Sequence, residues 1–393
     1  MIYRGMSVPL GTYGNIDYER FVRWGMNAVC FYFYWGAVEP YYDEPGVYTG
    51  KLEGHSETVV ETIEREVAKA RSYGLVPFIS SRVCVNPYNY NMKSWHYPWV
   101  KDSAYIGPTH DYVNLDLTWC GYPDGSVKYV TGLPNGRTRY CNYLNFLAHR
   151  FPGVGIATWH FPYHQQSPDI ARRDTYYQET LPVFHEAIRS VDTRDIALSP
   201  IHQGSRDGKI TGEYFYLDRD YIAFLPVEDK NLLWECNTHD GAYGAVCRAC
   251  VHDNPDEWNR NYTELNEQWQ PAADFKTKHN IRLISLESIG LVIHPCGPDN
   301  CPACGVRPIK PSRVEWVEAM LQKQEELNMS WFYHRYEKSP WTETPQEADG
   351  SDTAVAVLLT QYAPVPTPTP LPFHDDFADL SKWTQLKGTW GIV

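Results

Sequence analysis

The sequence predicts a (β/α)8 TIM barrel, a closed ring of parallel strands wrapped by helices. Three observations carry that expectation. Short apolar runs alternate with amphipathic stretches along most of the 393 residues, the pattern of repeated βα units. Eight such units can be counted before residue 362. The rival architecture, an open doubly wound sheet, calls for a Gly-rich phosphate loop after the first strand, and "VPLGTYG" lacks the GxGxxG spacing.

The first strand is expected at 3–8 and a helix at 17–24. "NAVCFYFYW" (27–35) reads as the second strand. "SETVVETIEREVAKARSYG" (56–74) reads as a helix, with Ser56 as its N-cap, apolar residues three and four apart, and Gly74 as its stop. "LVPFISS" (75–81) is the third strand. A loop rich in Tyr, Asn, Pro and Gly then runs from 83 to 135, a length that usually signals function or disorder. A helix at 138–151 precedes the fourth strand, "GVGIATW" (153–159), and a helix at 174–190 precedes the fifth, 195–200. A weaker helix near 217–225 leads to the sixth, "NLLWECN" (231–237). A helix over 256–279, broken at Pro271, leads to the seventh, "IRLISLE" (281–287). A helix at 311–328, the eighth strand at 329–336 and a helix at 353–362 complete the ring.

Composition excludes several classes. Hydrophobic residues make up 43% and charged residues 21%, so a packed core is expected. No apolar run approaches the length of a membrane span. The net charge of −13 argues against nucleic acid as a partner, because phosphate binding needs a basic face. Aromatic residues reach 15%, with 29 Tyr and 14 Trp; most must be core, but flat rings with polar rims also suit sugar faces. Residues 1–362 are read as the barrel. "APVPTPTPLP" (363–372) is a stiff Pro/Thr linker of the kind that joins modules of secreted enzymes. Residues 373–393 read as the truncated start of a β-sandwich module. The chain is therefore expected to be a monomeric piece of a longer modular protein, secreted or at the cell surface.

The second strand ends "YFYWGAVEPYYDEPGVY", and a helix and "YGLVPFI" follow it. This wording, with the opening "YRGMSV", the seventh-strand end "LISLESIG" and "SWFYH" on the eighth strand, resembles the clan A retaining glycoside hydrolases, especially the family 5 cellulase-like barrels. The resemblance runs diffusely over residues 3–360. It implies that chemistry sits at the C-terminal strand ends and that Glu287 is the nucleophile, attacking the anomeric carbon to form a glycosyl-enzyme. It also marks departures. The acid/base position carries Phe161, which holds no transferable proton, and the Asn before it is His160. Cys30, Arg82 and His334 occupy the places of an Arg, a His and a Trp. Leaving-group protonation is typically worth about 10²–10⁴-fold, so another donor is required. Glu235, beside the seventh strand in "LLWECNTHDG", is the first candidate, since two close carboxyls push one pKa upward; His160, His164 and Asp169 are the others.

A poly- or oligosaccharide substrate is expected, bound by Trp35, His160, Tyr163, His164, His239, Asp240, Trp331 and His334. The alternative on the same barrel is a carbohydrate-binding pseudoenzyme; a scaffold role is the third reading. No cofactor is needed for the chemistry. Of the ten cysteines, "CRAC" (247–250) and "CPAC" (301–304) lie on neighbouring loops. Cys247, Cys250, Cys301 and Cys304 could hold a structural four-thiolate zinc, while the even count and the secreted-type linker equally suit disulfides.

Overall fold

The computed structural model of the chain describes residues 1–10, 16–39, 44–52, 54–82, 120–121, 127–128, 136–158, 178, 181–201, 226–236, 273–289, 313–334, 345, 351–362, 383–386 and 389–392. Eight parallel strands form a closed barrel. They are β1 (Arg4–Pro9), β2 (Ala28–Tyr34), β3 (Val76–Arg82), β4 (Gly155–Thr158), β5 (Ile196–Ile201), β6 (Leu232–Cys236), β7 (Arg282–Ile289) and β8 (Ser330–His334). Each pairs with the next in chain order, and β8 returns to β1 through Arg4↔Trp331 and Ser7↔His334. The helices are α1 (Tyr18–Arg23), α2 (Trp35–Val38), α3 (Val59–Ser72), α4 (Gly136–Arg150), α5 (Leu181–Arg189), α6 (Arg313–Glu326) and α7 (Ala354–Tyr362). Residues 273–279 are also helical. The remainder of the helix expected over 256–279, and the whole of that near 217–225, lie outside the described residues.

Period-two alternation sorts each strand between two cores. Val29, Phe31 and Phe33 of β2 face the helices with Met6, Val8, Ile156, Leu198, Trp234 and Trp331. Ala28, Cys30, Phe78, Ala157, Ala197, Leu233, Ile284 and Phe332 fill the barrel. Phe78 and Phe332 fit inside because their neighbours lack side chains. A Cβ on Gly155 would lie 2.4 Å from the Phe78 ring, and one on Gly5 would lie 2.5 Å from the Ala28 carbonyl oxygen.

Local signals place the helix ends. The N-cap of α3 is Thr58 rather than Ser56. Thr58 is extended (φ −70°, ψ 160°), its hydroxyl accepts from the Glu61 amide, and the Glu61 carboxylate accepts from the Thr58 amide in return. Gly74 (φ +76°) ends the helix as expected. Two elements were not anticipated: the single turn of α2, and a short hairpin of Cys120–Gly121 with Val127–Lys128 inside the long third loop. Near the C-terminus, Trp383–Leu386 and Thr389–Ile392 form an antiparallel hairpin.

Buried charges tie the elements together. The Glu39 carboxylate is wholly buried and accepts from Arg139 Nε (2.7 Å), Trp35 Nε1 (2.6 Å) and the Gly46 amide (2.8 Å). It therefore joins the β2–α3 connection to α4. At the opposite end of the barrel, Arg282 donates to Asp195 (2.8 Å) and to the Met1 carbonyl (3.0 Å), and its guanidinium lies 5.6 Å from the centre of the Tyr3 ring. The Tyr3 hydroxyl also donates to Asp195. Burial, then the Asp195 carboxylate, push the Tyr3 phenol up to about 12, so it stays a donor. At that same N-terminal end, Asp229 accepts from Arg189 Nε (2.9 Å) and Nη2 (2.6 Å) and lies 2.7 Å from His185 Nε2.

Two outcomes follow. Arg139→Ala leaves Glu39 buried without its cation and is expected to cost about 3–5 kcal/mol in urea unfolding; a loss below about 1 kcal/mol contradicts that role. Burial alone would raise the Asp229 carboxyl, but His185, the Asn231 amide and Arg189 outweigh it and hold it below the usual range. A depressed carboxyl stabilises the fold above its unfolded pKa of about 3.9, and that contribution is lost as pH falls through the lower folded value. The urea midpoint should therefore fall steeply below about pH 4, and less steeply in Asp229→Asn.

Candidate active site

The C-terminal ends of the strands carry a belt of polar side chains directed into the barrel. Ser7 (β1), Tyr32 (β2), Ser80 (β3), Glu235 (β6) and His334 (β8) all lie at inward positions of the alternation, and all are buried. Register sets them beside one another: Ser7 pairs with His334 and with Cys30, and Tyr32 pairs with Ser80. The Tyr32 and His334 rings meet at 5.7 Å, tilted by 38°. Beneath the belt the filling is apolar, so polarity rises from the floor to the mouth.

Two irregularities lie at the same end. Between Trp331 and Tyr333 on β8, the β7 partner jumps from Ser285 to Ile289, so β7 bulges over the stretch that contains Glu287. Between Trp234 and Cys236 on β6, the β5 partner jumps from Leu198 to Ile201, across Pro200. Bulges bend a strand and re-aim its side chains, and they concentrate beside active sites. Ser7 reaches into the first of these. Its hydroxyl donates to the Leu286 carbonyl at 2.8 Å, immediately before Glu287.

The expected site residues divide into three groups. Glu235 and His334 face the interior at the mouth, on the strands either side of β7, which carries the Glu287 backbone. Glu235 pairs with Ile284, three residues before Glu287. Trp35 and Trp331 belong elsewhere, and their expected place in a sugar cleft is corrected. Trp35 stacks on Tyr143 of α4 and donates to Glu39. Trp331 is fully buried, faces the helices and donates from Nε1 to Glu325 of α6 at 2.9 Å. Phe332 and His334 hold the inward positions of β8, so alternation drives Trp331 outward. The Glu287 side chain lies outside the described residues, as do His160, Tyr163, His164, Asp169, His239, Asp240, Cys247, Cys250, Cys301 and Cys304. Among the described residues no three His, Cys, Asp or Glu side chains gather as metal ligands.

Ser7, Tyr32 and Ser80 escaped the sequence reading, although parity carried the signal. Once Val29, Phe31 and Phe33 are assigned outward, Tyr32 must face in, and its register partner Ser80 with it.

Trp331→Phe keeps an aromatic side chain but removes the bond to Glu325 and part of the buried indole. It should cost about 1.5–3 kcal/mol in urea unfolding and leave the affinity for any bound saccharide unchanged. A large affinity loss with full stability would return Trp331 to a binding surface.

No family model matches the chain, and no curated protein matches it in sequence. Solved structures do. Cel5A of Thermotoga maritima, in complex with mannotriose, superposes with a TM-score of 0.55 at 12% identity, over 91% of this chain and 97% of that one. The endo-beta-1,4-glucanase Xac0029 of Xanthomonas axonopodis pv. citri gives a TM-score of 0.54 at 15% identity, over 92% and 98%. The chain therefore shares the eight-stranded parallel barrel of these cellulases over nearly its whole length.

Proposed function

We propose that the chain is a glycoside hydrolase acting on a poly- or oligosaccharide, with Glu287 as nucleophile and Glu235 as proton donor. One observation carries the reading: three consecutive strands, β6, β7 and β8, bring Glu235, the Glu287 backbone and His334 to one side of a polar barrel mouth. The structural neighbours are endoglucanases, which supports that class of reaction and puts β-1,4-linked glucan and manno-oligosaccharides first in a substrate screen.

In this mechanism the Glu287 carboxylate attacks the anomeric carbon while Glu235 gives its proton to the departing oxygen. Water then cleaves the glycosyl-enzyme, and Glu235 takes the water's proton back. Glu235 pairs with Ile284, three positions before Glu287, an offset of about 10 Å at ~3.3 Å per residue along a regular strand, and the β7 bulge lies within that stretch. Retaining chemistry wants the two carboxyls about 5–5.5 Å apart. His334, with His160, Tyr163, His164, His239 and Asp240 on the following loops, would contact the sugar. Cys247, Cys250, Cys301 and Cys304 would staple the rim, as a closed zinc site or as disulfides, with no part in the chemistry. Secretion, a monomeric state, the linker at 363–372 and a further module belong to the same proposal. Phe161 favours the second reading, a carbohydrate-binding pseudoenzyme, in which sugar binds without turnover.

Turnover of aryl glycosides and polysaccharides by wild type, Glu287→Gln and Glu235→Gln tests the reading. Glu287→Gln should lose about 10³-fold or more on every substrate. Glu235→Gln should lose about 10²–10⁴-fold in kcat/KM on unactivated glycosides and little in kcat/KM on aryl glycosides with a good leaving group, while kcat on the latter falls as the second step, now without its base, becomes limiting. Full activity in Glu287→Gln overturns the assignment, and binding without turnover by wild type favours the pseudoenzyme.

A further inference from the structure

We propose that Ser7 is a positioning residue that sets the backbone of β7 immediately before Glu287. The proposal rests on the reading of Glu287 as nucleophile. Ser7 and Leu286 are 279 residues apart in sequence, and β1 and β7 are not neighbours in the barrel; β8 lies between them. The Ser7 hydroxyl crosses the interior side of β8 to donate to the Leu286 carbonyl at 2.8 Å. Such a bond is not part of any strand ladder. It falls where the β7–β8 register slips, between Ser285 and Ile289.

A bulge frees backbone from the regular ladder, and that stretch then needs another restraint to hold one geometry. Ser7 supplies it from a rigid place. It is 1% exposed, and its own backbone is paired on both sides, with His334 of β8 and Cys30 of β2. Its flanking residues, Met6 and Val8, are locked in the outer core. The hydroxyl is therefore fixed by the barrel itself, and it holds the peptide group that leads into Glu287. A nucleophile must meet the anomeric carbon in line, and a displacement of about 1 Å from a remote change can cost about 10²-fold in rate.

The test compares Ser7→Ala with Thr62→Ala in the full chain. Thr62 is a comparable buried hydroxyl, donating to the Thr58 carbonyl at 3.0 Å on α3, in the helix layer outside the strand ring. Ser7→Ala should lower kcat about 10–100-fold with KM changed less than about threefold, while Thr62→Ala leaves both unchanged. Crystal structures should show the backbone of residues 285–289 displaced in Ser7→Ala relative to wild type. Should Ser7→Ala fail to fold, Ser7→Cys, similar in size and a weak donor, takes its place. Unchanged kcat, an equal loss in Thr62→Ala, or an unmoved β7 overturns the proposal alone. A wild type that hydrolyses no glycoside, or an active Glu287→Gln, overturns the functional reading and this role with it.

Discussion

The structure depends on the closure of the sheet by β1. This strand of six residues begins at the fourth position of the chain and is paired on both sides, to β2 and to β8. Without it, β2 and β8 would be open edges with unpaired backbone groups. With it, every strand has an inside, and the inside is closed. Closure needs room at the centre, and Gly5 and Gly155 provide it by letting Phe332 and Phe78 fill the middle of the barrel. The N-terminal end is sealed by the Tyr3, Asp195 and Arg282 group, which draws β1, β5 and β7 together. Stabilising groups at that end leave the other end available for chemistry.

The mouth shows what the closed ring makes available. Inward positions that are apolar at mid-barrel become Ser7, Tyr32, Ser80, Glu235 and His334 near the strand ends. Buried polar groups of this kind require partners, so a fold that keeps five of them in one layer retains them for a reason other than packing. The bulges in β5 and β7 lie at the same level and loosen the register where side chains would otherwise follow strict alternation. The Glu39–Arg139 pair works from outside the ring: it fixes the chain leaving β2 against α4, and so braces one side of the rim. The resulting mouth is apolar beneath and polar within.

The barrel was legible in the sequence because its signals are local. Alternating apolar runs marked every strand to within a few residues, and helical periodicity with Gly74 marked α3. Ser56 was chosen as a cap where Thr58 serves, because both are good caps and only backbone geometry separates them. The site was legible only in part. Glu235 and His334 could be placed at strand ends, and they do face inward. Trp35 and Trp331 were assigned to a cleft because aromatic residues at strand ends suit sugars, yet strand parity and the helix layer claim both. Ser7 was invisible, since its bond crosses an intervening strand and depends on a register slip that no sequence pattern announces.

The central claim is that Glu287 becomes covalently bonded to the sugar. The direct measurement is mass spectrometry of the protein after incubation with 2-deoxy-2-fluoro glycosides bearing a good leaving group. These sugars slow the second step and trap the glycosyl-enzyme. The expected result is one added fluorosugar per chain, carried by the peptide that contains Glu287. A label on another carboxylate, or steady turnover of the parent glycosides with no trapped adduct, would contradict it.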